Sequence, residues 1–253
     1  MIFYIPQNIF SSLLVKYIDE KLLKSVEVIP AAEIAKKLDA NDEAVGLLPV
    51  MDMLRRKEFF VSSRYGISFE ENVSNSFLYF EPEKTKIENV SLYGDISSNE
   101  IILSKIIFAE VYGSEIEISL QSEKPQFGKN NFLVTGMMNF ESDNFKNGVP
   151  FSEQIIDLMQ LPFVEFVVAS KNEKSVAAVD DAIKIPENFD ADEIKKQLAG
   201  FNVSPETEEH LTELQDGFNF KLTETETEAI TEILRLPYYH GMIGDIEEIN
   251  FVK

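Results

Sequence analysis

The chain has 253 residues, 44% of them hydrophobic and 26% charged, a balance that excludes wholesale disorder and predicts a globular protein with a full core. Its 44 acidic and 23 basic residues give a formal charge of -21, which disfavours nucleic acids and anionic lipid surfaces as partners. The chain has no cysteine, which excludes disulfides, thiolate metal sites and cysteine nucleophiles.

Short apolar strands alternate with helices along most of the chain. The predicted strands are Ile2–Ile5, Val26–Ile29, Ala44–Leu48, Phe59–Ser62, Asn72–Phe80, Val90–Tyr93, Glu115–Leu120, Asn131–Thr135 and Pro162–Ala169. The predicted helices are Phe10–Ile18, Ala31–Leu38, Met51–Arg55, Ser98–Tyr112 and Phe151–Met159. Three further helix starts follow, at Asp190 with Glu193, at Ser204–Pro205 and at Thr223 with Glu226.

This alternation predicts an α/β protein with mostly parallel sheets flanked by helices and a largely helical C-terminal part. The strand at Asn72–Phe80 is predicted to cross between two lobes. We expect residues 1–80 to form the first lobe, to which residues 175–253 return, and residues 81–174 to form the second.

Three loops that follow strands carry the candidate site residues, because ligands bind beyond the carboxyl ends of strands in such sheets. The first loop holds Asn8, with Ser11 and Ser12 in the helix after it. The second spans residues 94–99 and includes Ser97, Ser98 and Asn99 at a helix N-terminus, which suits a carboxylate. The third begins at Gly136.

Each of these groups also has a purely structural interpretation. Ser97 with Glu100 matches a capping box, and Asn8 matches a turn residue before a helix. Arg64 is a candidate carboxylate clamp or an ordinary surface residue. His210 and His240 lie in no metal-binding spacing and no glycine-rich phosphate loop occurs, so we expect neither a metal nor a cofactor.

The order of several segments resembles the chorismate dehydratase family of the futalosine route to menaquinone. The segments that carry the resemblance are Ala44–Pro49, Gly66–Ser68, Val73–Phe80, Ser97–Asn99, Leu103–Gly113, Leu133–Gly136 and Asp157–Val164. The resemblance as a whole extends over about residues 1 to 240. The chain departs from the family pattern at Pro6–Gln7, at Val50 and at Met137.

The resemblance implies the two-lobed fold of type II periplasmic binding proteins and a carbon–oxygen lyase that removes water from a carboxylate-bearing cyclohexadiene. It implies that Asn8 orients the substrate as the catalytic residue. The substrate's carboxylates would be held by Ser11, Ser12, Ser97, Ser98, Asn99, Gly136 and Arg64.

Two other functions fit the same sequence. The first is a binding protein without catalysis that captures a small carboxylate in the cleft, and the departures at Val50 and Met137 favour it. The second is an interaction module with a vestigial cleft. The N-terminal residues show no secretory signal and no apolar run reaches about 18 residues, so we expect a cytoplasmic protein that is not inserted in a membrane. The sequence leaves the oligomeric state open.

Overall fold

The computed structural model describes residues 1–19, 21–22, 25–70, 72–84, 86–141, 143–186, 191–198, 200–201, 203–213, 215–246 and 248–252. Within them, twelve strands form two sheets. The strands are β1 (Ile2–Ile5), β2 (Ser25–Val28), β3 (Val45–Pro49), β4 (Phe60–Phe69), β5 (Ser76–Tyr79), β6 (Asn89–Gly94), β7 (Glu117–Leu120), β8 (Phe132–Thr135), β9 (Val149–Pro150), β10 (Phe163–Ser170), β11 (Phe218–Lys221) and β12 (Asn250–Val252).

Nine α-helices are described in the same residues. They are α1 (Ile9–Val15), α2 (Ala31–Ala40), α3 (Ser98–Glu110), α4 (Met138–Glu141), α5 (Phe151–Met159), α6 (Glu173–Ala182), α7 (Ala191–Leu198), α8 (Pro205–Glu213) and α9 (Glu224–Tyr239). Short 3₁₀ helices lie at Val50–Arg55, Asn144–Asn147 and Gln215–Gly217.

The larger sheet has the strand order β11-β4-β10-β3-β1-β2, with β12 also paired to β4. The strands β2, β1 and β3 run parallel, whereas β10 is antiparallel to both β3 and β4. Helices α2, α6 and α9 pack against it. The buried side chains of α2 are Ala31, Ile34, Ala35 and Leu38, the spacing that places one apolar face on a sheet.

The smaller sheet has the order β7-β6-β8-β5-β9. The strands β7, β6 and β8 are parallel, and β5 is antiparallel to β8 and β9. Each sheet with its helices is called a lobe here, the larger lobe and the smaller lobe. The α/β class with two lobes is confirmed, while each sheet is mixed rather than mostly parallel.

Three details of the predicted strands are wrong. The strand predicted to end at Ser62 continues to Phe69, because its pairing with β10 contains irregularities and its middle is polar, which hides the strand period. The strand predicted at Asn72–Phe80 covers only Ser76–Tyr79, since Ser74 Oγ bonds locally to the carbonyl of Ser76 before pairing begins.

The third correction concerns the strand predicted at Pro162–Ala169, which we placed in the second lobe. The structure puts this strand, β10, between β3 and β4 in the larger sheet. All eight of its residues are buried, as expected for a central strand covered on both faces. The chain therefore crosses back to the larger lobe between α5 and β10, before residue 174.

The C-terminal part contains the predicted helices and contacts both lobes. The start at Thr223 is confirmed as a capping box with Glu226, and α8 begins at Pro205. The start predicted at Asp190 lies outside the described residues. Helix α8 reaches the smaller lobe, where Thr207 Oγ1 donates to the carbonyl of Phe140.

Candidate ligand cleft between the lobes

A cleft of about 700 Å³ opens between the two lobes. Four loops meet there, each beyond the carboxyl end of a parallel strand. They contribute Gln7 after β1, residues 28–30 at the end of β2, residues 93–95 after β6 and residues 135–138 after β8. This is where an open α/β sheet places its ligands, and it brings together all three loops that the sequence singled out.

Asp95 spans the cleft from the smaller lobe to the larger one. Its Oδ1 accepts a hydrogen bond from the backbone N–H of Ala31 at 2.8 Å, and its Oδ2 accepts one from the backbone N–H of Gln7 at 3.2 Å. Ala31 is the first residue of α2, so the carboxylate also lies at the positive end of that helix dipole. Burial raises the pKa of Asp95, and the two backbone bonds oppose that rise.

Two glycines shape the smaller-lobe side of the cleft. Gly94 has φ +105°, and a Cβ there would lie 2.0 Å from the carbonyl oxygen of Thr135. Gly136 has φ +90°, and its N–H donates to the carbonyl of Asn75 at 2.9 Å. A side chain at Gly94 would force β6 away from β8, so glycine is required for Asp95 to reach across.

The walls of the cleft are apolar and polar in about equal parts. Val28, Ile29 and Pro30 line the larger-lobe side, and Met137 with Met138 line the smaller-lobe side. Tyr93 lies half-buried among them, and the charged residues Glu141 and Lys124 lie exposed at the edge of the cleft. Small-molecule sites combine apolar side chains with polar groups that orient the ligand, and this cleft contains both.

The structure brings Gly136 to the cleft, but the first-loop residues serve helix α1. Asn8 is 4% exposed, and its Oδ1 accepts from the backbone N–H of Ser11 at 2.7 Å, so it is the N-cap of α1. The Ser11 hydroxyl is buried and donates to the carbonyl of Pro6, and the Ser12 hydroxyl donates to that of Asn8. The turn interpretation of Asn8 therefore describes its observed contacts.

The residues at the start of α3 are likewise engaged within the protein. Ser97 and Glu100 form the capping box, with the N–H of Ser97 donating to Glu100 Oε2 at 2.8 Å. Ser98 is half-buried beside Asp52. Asn99 is fully buried, and its side chain bonds to the backbone of Met51 and of Glu165 in the larger lobe. The predicted site residues Ser97, Ser98 and Asn99 do not line the cleft.

Arg64 lies away from the cleft on β4. Its guanidinium forms an exposed ion pair with Asp181 at 3.3 Å and lies 5.4 Å from the ring of Tyr65. The two histidines are also remote from the cleft, since His210 stacks on Phe145 and His240 pairs with Glu110. The surface interpretation of Arg64 matches its position.

Sequence reasoning missed the cleft residues Gln7, Tyr93, Asp95, Lys124 and Glu141. A signal existed for Asp95, because it follows a glycine at the end of an apolar strand, in a loop that we had singled out. No such signal marked Lys124 or Glu141, which reach the cleft from a loop and a short helix whose placement depends on tertiary packing.

The two sheets, the chain crossings between them and the cleft define a two-lobed α/β fold. Solved structures of this fold match nearly the whole chain. The periplasmic aliphatic sulphonate binding protein SsuA from Escherichia coli matches with a TM-score of 0.60 at 11% identity, covering 98% of this chain and 95% of its own. The ligand-binding component of an ABC-type import system from Staphylococcus aureus matches with a TM-score of 0.57 at 14% identity, covering 100% and 95%.

Protein AF1704 from Archaeoglobus fulgidus is also similar, with a TM-score of 0.57 at 9% identity and coverage of 95% of this chain and 98% of its own. No protein-family model and no curated protein matches the sequence. The chain thus has the fold of periplasmic-binding-protein-like proteins, and these identities show the fold alone. Among the described helices, none combines the length and apolar character needed to span a membrane.

Proposed function

We propose that the protein binds a small molecule in the cleft between its lobes, without catalysis, and that it does so in the cytoplasm. The observation that carries the proposal is the cleft itself, where loops beyond four parallel strands converge from both lobes. Its volume of about 700 Å³ lies within the range of small-molecule sites. The similarity to ABC solute-binding proteins supports binding as the general role of such a cleft.

The departures from the chorismate dehydratase pattern favour binding over the family's chemistry. Gln7 and Met137, which replace family residues, both line the cleft. Asn8, the residue implied to be catalytic, uses its Oδ1 to cap α1. A cleft whose own lining has changed is expected to take a different ligand.

A tryptophan placed in the cleft tests this proposal. Val28 lines the cleft and is 56% exposed, so Val28→Trp fills the space at little cost to folding. Val26→Trp is the matched control, because Val26 lies on the same strand but outside the cleft lining. Thermal-shift screening with amines, carboxylates, sulfonates and amino acids should give ligands that stabilise the wild type and Val26→Trp but not Val28→Trp. Equal shifts in both variants, or no ligand at all, would contradict the proposal.

A second candidate is a lyase similar to chorismate dehydratase. Support comes from the convergence of the three loops that follow strands, with Gly136 at the cleft surface. In this scheme, the substrate would lie against Gly136, Asn8 would orient it, and the substrate's own carboxylate would take the proton.

Incubation with chorismate, followed by mass spectrometry, separates the two candidates. Loss of water that depends on the protein and is abolished by Val28→Trp would establish the lyase. Asn8→Ala should then abolish turnover and also lower stability by about 1 kcal/mol as a lost N-cap. A thermal shift by chorismate without product would support binding instead.

A further inference from the structure

Two backbone donors that could hold a ligand's carboxylate in the cleft are already occupied by Asp95. The backbone N–H groups of Ala31 and Gln7 point into the space between the lobes, and each bonds to one oxygen of Asp95, at 2.8 and 3.2 Å. An anionic ligand at this position would have to displace a carboxylate that the chain itself supplies. Asp95 therefore occupies the position that the carboxylate of an anionic ligand would take.

The N-termini of α1 and α3 are capped by side chains of the chain itself. At α1 the N–H of Ser11 donates to Asn8 Oδ1 at 2.7 Å. At α3 the N–H of Ser97 donates to Glu100 Oε2 at 2.8 Å. Helix N-termini attract anions through their free N–H groups, and at α1, α2 and α3 a side chain of the protein already accepts from at least one N–H group.

The charges at the cleft favour a cation. Asp95 and Glu141 are acidic and Lys124 is basic, so the lining carries one net negative charge. None of the described basic residues forms an ion pair with Asp95, and its partners are backbone N–H groups, which leave each oxygen a further lone pair. The whole-chain charge of -21 adds a field that draws cations in and slows anions.

The apolar side chains of the lining suit the uncharged part of a cationic ligand. Tyr93 lies half-buried beside Asp95, and an aromatic face attracts a cation as well as an apolar body. Met137 and Met138 also line the cleft with flexible, polarisable side chains. A ligand with one ammonium group and a compact apolar body would satisfy both features.

We propose that Asp95 is the specificity-determining residue of the cleft, which excludes small carboxylates and selects a small organic amine. This inference rests on the proposed binding function and names the class of ligand for the same site. It reverses the charge of the carboxylate ligand expected from the sequence.

The test compares three probes of one shape and different charge: benzylamine, benzyl alcohol and benzoate. Calorimetric titration of the wild type should give an affinity for benzylamine about tenfold or more above that for benzoate, with benzyl alcohol between them. In Asp95→Ala the order should reverse, because the N–H groups of Gln7 and Ala31 become available to benzoate. Asp157→Ala, an exposed aspartate on α5, is the control and should keep the wild-type order.

Asp95→Asn separates the effect of the negative charge from the effect of occupying the two N–H groups. It also replaces Asp95→Ala in the test if the alanine variant does not fold. It keeps an oxygen acceptor in the cleft but loses the negative charge, so the preference for benzylamine over benzoate should fall by about tenfold. A wild type that prefers benzoate, or a preference that is unchanged in both Asp95 variants, would overturn the inference.

The outcomes also distinguish this inference from the proposed function. If a ligand binds in a manner abolished by Val28→Trp but is an anion, the binding function stands and the amine selectivity is wrong. If none of the three probes binds, the charge of the ligand found in the thermal-shift screen decides the selectivity. A cationic ligand supports the amine selectivity, and an anionic ligand contradicts it. If no ligand of any charge is found, both proposals fail.

Discussion

Two polar regions lie between the lobes and contain similar side chains with different roles. The first is the cleft, where Asp95 is half-buried and Gln7 and Glu141 are exposed. The second, which we call the lobe junction, lies behind it and is buried from solvent. It consists of Asn75, Ser76, Asn99, Glu100 and Glu165, each at most 2% exposed.

Most polar atoms of the junction residues bond to one another or to the backbone, whereas Asn75 Oδ1 and Glu165 Oε2 are buried without a hydrogen-bond partner among the described residues. Asn99 Oδ1 accepts from the N–H of Met51 at 2.9 Å in the larger lobe, and its Nδ2 donates to the carbonyl of Glu165 at 2.8 Å. Asn75 Nδ2 donates to Glu165 Oε1 at 3.1 Å. The buried groups that have partners hold the two lobes together, whereas the open sides of the cleft residues leave those residues able to bind a ligand.

The largest effect is expected from Asn99→Ala. The substitution leaves the N–H of Met51 and the carbonyl of Glu165 buried without their partner, and each such group costs about 1–3 kcal/mol. The free energy of unfolding should fall by about 3 kcal/mol in urea denaturation. Asn130→Ala, at an exposed asparagine, should change it by less than about 0.5 kcal/mol. A loss below about 1 kcal/mol for Asn99→Ala would show that the junction does not hold the lobes together.

The second prediction concerns the pH dependence of the junction. Burial raises the pKa of Glu165 well above its ordinary value of 4.5, and the charges of Glu100 and Asp95 add to the rise. Above pH 4.5 the unfolded chain loses this proton while the folded protein keeps it, so stability falls as pH increases toward the raised pKa. Glu165→Gln removes the titration and retains an oxygen for Asn75, so it should be more stable than the wild type at pH 8 by about 1–2 kcal/mol.

The measurement is the free energy of unfolding from pH 5 to pH 8 for the wild type and Glu165→Gln. The difference between the two should grow with pH. Glu117→Gln, on the exposed edge strand β7, should follow the wild type across the range. Parallel curves for Glu165→Gln and the wild type would mean that Glu165 does not titrate with folding.

Local features of the fold could be predicted from the sequence, whereas long-range partners could not. The sequence predicts the capping boxes at Ser97 and Thr223, because the residues of each box lie within three positions of one another. The roles of Asn99 and Asp95 depend on Met51, Glu165, Gln7 and Ala31, far away along the chain, and no spacing rule encodes such pairs. The position of β10 in the larger sheet was missed for the same reason.

The third prediction separates capping from ligand binding. Ser97 Oγ accepts from the N–H of Asn99 at 3.1 Å and donates to Glu100 Oε2 at 2.7 Å. Ser97→Ala should lower the free energy of unfolding by about 1 kcal/mol and leave ligand affinity unchanged, because Ser97 lies outside the cleft lining. Thr223→Ala removes the equivalent cap at the exposed start of α9 and should cost no more. Weaker ligand binding by Ser97→Ala alone would extend the recognition site into the junction.

The smallest effect is expected from Arg64→Ala, which lies in neither region. Its ion pair with Asp181 joins side chains that are 49% and 82% exposed, and such pairs contribute about 0.5 kcal/mol or less in water. Calorimetry should find ligand affinity unchanged, since the guanidinium is remote from the cleft lining. A double-mutant cycle with Asp181→Ala isolates the pair itself. An affinity loss of about tenfold or more for Arg64→Ala would place a recognition group outside the cleft, and the division between a binding region and a structural one would then be wrong.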